Sequence, residues 1–140
     1  MVRINIINPK NLADQHLIAE YLEILMLIEH ARKYPKIENI PKDYCLGKGH
    51  ITFFKNKLLY LKNRHELIKK EMESRGFKHA KTLSLKDFDK SQINDWHPKE
   101  KDKKIIRKRL TEKIKKKNNY YRYYKKPRTQ SFLIKLVKEA

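Results

Sequence analysis

Apolar residues recur at helical spacing in three stretches of the chain. From Leu12 to about Lys33, the positions Leu17, Ile18, Tyr21, Leu22, Ile24, Leu25 and Ile28 cover most of a helix circumference, which marks a helix enclosed by others. Asn11 stands at the N-cap position and Asp14 adds a carboxylate to the first turn. Tyr34 precedes Pro35 and is biased away from helical dihedrals. A second helix is predicted from about Lys57 to Arg75, with Leu58, Leu61, His65, Ile68 and Met72 on one stripe and Gly76 as C-cap. A third runs from about Lys99 to Lys117. Ile106, Leu110 and Ile114 form its buried stripe, and Arg109, Lys113 and Lys117 run beside them as a basic one.

The segments between are irregular. Ile4, Ile6 and Ile7 make a β-branched strap that stops at Asn8-Pro9. Pro35 to His50 reads as a loop ending in the Gly47-Lys48-Gly49 turn, and Ile51 to Phe54 as an apolar lead into the second helix. Phe77 to Pro98 is a linker anchored by Leu83, Leu85 and Phe88, with Trp96 read as a core plug more readily than a base-stacking group. The predicted fold is therefore all-α: three helices with irregular connecting loops, and the N-terminal strap passing beside the first helix. Residues 1–126 make one domain and 127–140 a short amphipathic tail.

Charge sharpens this picture. The chain of 140 residues has 35 Lys plus Arg against 16 Asp plus Glu, a net charge of +19. Such a surface attracts polyanions through counterion release and long-range steering. The single cysteine, Cys45, cannot form an internal disulfide and has no zinc-ligand spacing around it. No apolar run approaches a membrane span, and no leader pattern opens the chain. With three glycines and no phosphate-binding loop, nucleotide-fuelled chemistry is not expected. The lone thiol fits a cytoplasmic protein.

Against the apolar first helix, His16, Glu20 and Glu23 stand out. Their i, i+4, i+7 spacing puts them on one face. Either that face is an edge in water, or the groups are buried and put to use. Tyr120-Tyr121-Arg122-Tyr123-Tyr124 interleaves aromatics with a cation, a pattern that can stack on bases and hold phosphates or complete a core.

Leu12-Ala13-Asp14-Gln15-His16-Leu17, Ala19-Glu20-Tyr21 and Glu23 resemble the signature of the pyrimidine-dimer DNA glycosylases, the phage-type endonuclease V enzymes. Arg3-Ile4-Asn5, Gly47, Gly49-His50, Thr52-Phe53-Phe54, Lys57-Leu58, Arg75-Gly76-Phe77, Asp95-Trp96, Pro98, Arg109-Leu110, Glu112-Lys113-Ile114 and Tyr121, Tyr123-Tyr124 extend the similarity to about Lys125. The resemblance implies a DNA repair glycosylase with abasic-site lyase activity. Met1 would be removed and the α-amine of Val2, where the family usually has threonine, would attack C1′ of a damaged nucleotide. A Schiff base and β-elimination would follow. The resemblance further implies a nucleoid-associated monomer that needs neither metal nor cofactor, because the amine would supply the nucleophile. Glu23 maps onto the family's essential carboxylate and His16 onto a second position near the site. Arg3, Gln15, Lys48, His50, Arg109, Lys113, Lys117, Tyr121 and Arg122 are the DNA-binding candidates, with double-stranded DNA carrying a damaged base or abasic site as partner. Leu22 and Met26 stand where the phage enzyme has arginines that contact DNA. Either lesion choice has shifted, or other groups such as Arg32 meet the same phosphates.

Other readings explain less. A non-catalytic basic DNA- or RNA-binding module accounts for charge and aromatics but not for a carboxylate at position 23 of an apolar helix. A ribosomal-type RNA-binding protein would carry a low-complexity basic extension rather than three core stripes. The tail loosely resembles a sliding-clamp peptide at Gln130 and Leu133, without that motif's paired aromatics.

Overall fold

The computed structural model describes residues 3–140. Among them lie five α-helices and one small sheet: α1 (Asp14–Lys33), α2 (His50–Phe54), α3 (Leu58–Arg75), α4 (Glu100–Lys116), β1 (Arg122–Tyr123), β2 (Lys126–Pro127) and α5 (Gln130–Lys138). Short 3-10 turns cover Pro9–Asn11, Gly47–Gly49 and Lys90–Gln92. The expectation of three helices is thus corrected. The α2 segment is too short to show a helical period, and the tail read only as amphipathic is a regular helix.

The three long helices fall within a residue or two of their predicted bounds. Gly76 ends α3 in the left-handed region at φ +80, where a side chain would be strained. The start of α1 is different. Its N-cap is Ala13, without a side-chain cap. Asn11 instead donates its amide to the Leu136 carbonyl at 2.7 Å and holds α5.

The core has α1 at its centre. Leu17, Ile24, Leu27 and Ile28 pack with Leu58, Leu61 and Ile68 of α3 and with Ile106, Leu110 and Ile114 of α4 in one cluster. Helix α5 docks Leu133 and Val137 into the same cluster, and Gln130 donates to the Ile114 carbonyl at 3.1 Å. Gln130 and Leu133 are therefore occupied within the fold, which removes the basis for a clamp-binding tail. Trp96 packs against Tyr44, Phe53, Phe54 and Tyr60, with ring centroids 5.1 to 6.0 Å away.

Two buried arginines tie distant segments together. Arg64 of α3 makes a two-pronged bond to Glu20 at 2.7 and 3.1 Å and also donates to the Ile7 carbonyl. Arg75 bonds Glu71 at 2.8 Å, Asp14 at 2.9 Å, the Leu12 carbonyl at 2.8 Å and the Pro9 carbonyl at 3.1 Å. Its guanidinium lies 4.6 Å from the Tyr123 ring and 5.0 Å from the Tyr124 ring. Asp14 in turn accepts the backbone N–H groups of Tyr124 at 3.1 Å and Lys125 at 2.7 Å. Those two residues form the β1–β2 turn with φ +52 and +67. A two-residue hairpin loop of type I′ has both φ values positive, and the Asp14 carboxylate holds two non-glycine residues there.

Among the described residues no helix is long and apolar enough to cross a membrane.

Candidate active site

The N-terminal strap is fixed to the body at Ile4, which is completely buried. Its N–H donates to Nε2 of His50 at 2.8 Å, and its carbonyl accepts from the Tyr44 hydroxyl at 2.9 Å. The other His50 nitrogen, Nδ1, lies 2.8 Å from the Cys45 carbonyl. A donor facing Nε2 and an acceptor facing Nδ1 assign the neutral ring with its proton on Nδ1. Burial pushes the His50 pKa down to about 4, consistent with that form. His50 has no exposed surface, so it does not meet DNA. It secures the strap.

One residue earlier, the Arg3 N–H donates to Oε2 of Glu23 at 2.9 Å. Glu23 is half-buried on α1. Burial raises its pKa, the Arg3 N–H lowers it, Glu20 raises it and Arg109 lowers it. The carboxyl thus sits closer to neutral pH than an ordinary glutamate while keeping an open side. Val2, the expected nucleophile, lies outside the described residues.

His16 faces the same cations. Burial, then Arg109 and Lys113, lower its pKa to about 4, so the ring is neutral at pH 7. Its centroid is 4.6 Å from that of Tyr121, and its Nδ1 is buried with no protein hydrogen-bond partner. Arg109 of α4 is the electrostatic link. It acts on Glu23 and His16, while burial and then Arg3 lower its own pKa.

The face read from His16, Glu20 and Glu23 therefore divides. Glu20 is fully enclosed and spent on Arg64, whereas Glu23 and His16 line the open side near Arg3 and Arg109. Gln15 is a clip: its amide nitrogen donates to the Tyr120 carbonyl at 2.7 Å and its oxygen accepts from the Arg122 N–H at 3.0 Å. It holds the tyrosine segment against α1. Tyr121 is buried against His16 and completes the core rather than offering a stacking face. Lys113, Lys117 and Arg122 are exposed, with the Lys117 ammonium 4.4 Å over the Tyr120 ring. Lys48 lines a groove of about 660 Å³ with Lys33, Tyr34, Lys36 and Lys55, beside the C-terminal end of α1, where Lys33 is ten residues or roughly 15 Å along the helix from Glu23. Arg32 is also spent elsewhere: it bonds Asp87 at 2.8 Å and the Ser84 carbonyl at 3.3 Å. It is not the replacement cation considered for positions 22 and 26.

Tyr44, which with His50 fixes the strap, carried no signal in the sequence. A lone tyrosine in a Pro-containing loop has no period or motif to announce a bond to a residue 40 positions away. Among the described residues no group of three or more His, Cys, Asp and Glu side chains is arranged to hold a metal ion.

A strongly basic surface, a carboxylate with a raised pKa, and an N-terminal strap bonded directly to it define a site for chemistry on a polyanion. The model of the pyrimidine dimer DNA glycosylase family matches residues 1–85, well over half of the 140, and the chain belongs to that family. The match takes in the strap, α1, α2 and α3. Arg109, Lys113, Lys117, Tyr121 and Arg122 lie beyond it.

Proposed function

We propose that this glycosylase of damaged DNA is bifunctional, with the α-amine of Val2 as nucleophile once Met1 has been removed. The hydrogen bond from Arg3 to Glu23 carries this reading. Arg3 follows Val2 directly in the sequence, and the strap that holds Arg3 at Glu23 is itself fixed at Ile4 by Tyr44 and His50. In this reading the amine works beside the Glu23 carboxyl.

An α-amine has an ordinary pKa of roughly 7.7–8.0, so a useful fraction is neutral at pH 7. The surrounding cations favour that form. The neutral amine attacks C1′, the bond from C1′ to the damaged base breaks, and the base leaves. The sugar ring opens to give an imine between the amine nitrogen and C1′. Loss of a C2′ proton then expels the 3′ phosphate, and water releases the amine. Glu23, with its raised pKa, accepts and returns the protons of these steps. His16, neutral and unpartnered at Nδ1, offers a hydrogen-bonding nitrogen without adding charge. Arg109, Lys113 and Lys117 grip the backbone, while Arg3, which is buried, holds the strap at Glu23.

Borohydride trapping on a duplex with one abasic site tests this. A covalent complex should form and should disappear when residues are added ahead of Val2. A complex that persists with the extension would assign the reaction to a lysine, and absence of any complex with a free amine and bound DNA would leave binding without lyase chemistry.

A further inference from the structure

The outward face of α1 is uncharged beside its functional carboxylate. Ala19, Leu22 and Met26 are exposed and follow one another at spacings of three and four, with Ala19 four residues before Glu23 and Met26 three after it. Leu22 is 41 % exposed and Met26 58 %. Among the large apolar side chains exposed in the described residues, these are the two that share one helix face. Scattered exposed apolar residues need no explanation, but a paired strip flanking an active-site group in a chain of net charge +19 does.

The surroundings say what such a strip fits. Toward the start of α1, Arg109 and Lys113 act on His16. At its end Lys33 is exposed. Arg32 is turned away to Asp87 and the Phe88 ring. Glu29, the exposed carboxylate between Met26 and Lys33 on this face, is ion-paired with Arg32, so the strip itself offers aliphatic and thioether surface with cations beyond it on either side. A ligand that is anionic along its rails and apolar between them matches this order. Double-stranded DNA is such a ligand once a base step is opened. Apolar side chains, leucine and methionine among them, enter opened steps elsewhere and offset the unstacking.

We propose that Leu22 and Met26 form a wedge that enters the duplex beside the everted nucleotide and covers the base faces left unstacked. This rests on the glycosylase reading, since it needs an everted nucleotide next to Glu23. It makes the pair specificity determinants: they favour lesions at which stacking is already weak, because a wedge of this size offsets unstacking of one step.

The test separates the wedge from the chemistry. A duplex carrying a tetrahydrofuran abasic analogue has no aldehyde and cannot form an imine. With 2-aminopurine next to the analogue, fluorescence reports unstacking. Wild-type binding should raise the signal and prefer the analogue duplex over intact duplex. The doubly substituted Leu22→Ser, Met26→Ser protein should lose most of the rise and about tenfold or more of the preference. The swapped Leu22→Met, Met26→Leu protein, with its wedge intact, should keep both. If the serine protein keeps the rise and a preference within about twofold of wild type, the wedge is wrong. The wedge is equally overturned if the swapped protein loses as much as the serine protein. Borohydride trapping of wild type on a true abasic site is run in parallel. Trapping with no effect of the serine changes discards the wedge alone, and a wedge signal without trapping discards the lyase chemistry alone.

Discussion

The Arg3 backbone nitrogen and the Glu23 carboxylate are 2.9 Å apart, so one hydrogen bond joins the start of the chain to the centre of its most enclosed helix. Replacing Glu23 by Gln keeps an oxygen to accept that bond and removes the charge. The strap should stay in place while proton transfer fails. Single-turnover cleavage of abasic duplex is expected to fall by about 10²–10⁴-fold, with the urea midpoint little changed. A rate within about tenfold of wild type would take the proton-transfer role away from Glu23.

The strap's own anchor predicts a pH dependence. His50 and His16 are both depressed from 6.5 to about 4 by burial. The unfolded chain takes up these protons near pH 6.5 and the folded chain only near pH 4, so acid favours unfolding across that interval. Their contribution to stability is complete above about pH 6.5 and is lost as pH falls toward 4, at most about 3 kcal/mol for each ring. Glu23, with its raised pKa, works in the opposite sense. Urea midpoints measured from pH 7 to pH 4.5 should fall in wild type. The fall should be smaller in His16→Gln, which has no ring to protonate. An equal slope in both proteins would show that His16 titrates normally. Separately, His50→Ala should cost roughly 2–4 kcal/mol at pH 7 by leaving the Ile4 N–H and Cys45 carbonyl unpaired.

The buried pair of Glu20 and Arg64 calls for a double-mutant cycle. Both side chains are nearly inaccessible, at 0 % and 4 %. Glu20→Met alone strands a guanidinium in the core, and Arg64→Met alone strands a carboxylate. Each should destabilise by about 3–5 kcal/mol. Replacing both by Met should recover much of that loss, because two desolvation costs disappear together. Additive losses in the double variant would mean the pair is better solvated than its surroundings indicate.

These cases show what the sequence could and could not reveal. The long helices were legible because a stripe such as Ile106, Leu110, Ile114 repeats at a local period, and Gly76 marks its own left-handed turn. That Glu23 and His16 share one face of α1 was legible from their spacing. Glu20 was not separable from them, because the Arg64 that buries it is 44 positions away and long-range ion pairs leave no local pattern. The hairpin was hidden for the same reason: no glycine stands at Tyr124 or Lys125, and the turn depends on Asp14 about 110 positions earlier. Lys48 and His50 adjoin in sequence yet part in function, since one lines a surface groove and the other is enclosed beneath Ile4. Only the three-dimensional arrangement distinguishes a basic residue that can meet a phosphate from one that holds the fold.

The exposed cations of α4 allow the DNA-binding assignment to be measured residue by residue. Each lysine that neutralises a phosphate releases counterions, and the slope of log affinity against log salt is about −0.9 per contact on duplex DNA. Lys113 acts on His16 and is exposed, and Lys117 is one turn further on beside Tyr120. Lys113→Gln should weaken binding to damaged and intact duplex alike and make the slope shallower by about 0.9. The Lys113→Gln, Lys117→Gln double variant should make it shallower by about 1.8, because the sites are separate contacts on one strand. Lys48→Gln provides the contrast, lining the groove beside the C-terminal end of α1. If that groove is off the DNA path, its slope stays at the wild-type value. Fluorescence anisotropy on a labelled duplex across a salt series measures all three. An unchanged slope for Lys113→Gln would place the backbone grip elsewhere on the surface, whereas a change for Lys48→Gln would extend the footprint along the whole length of α1.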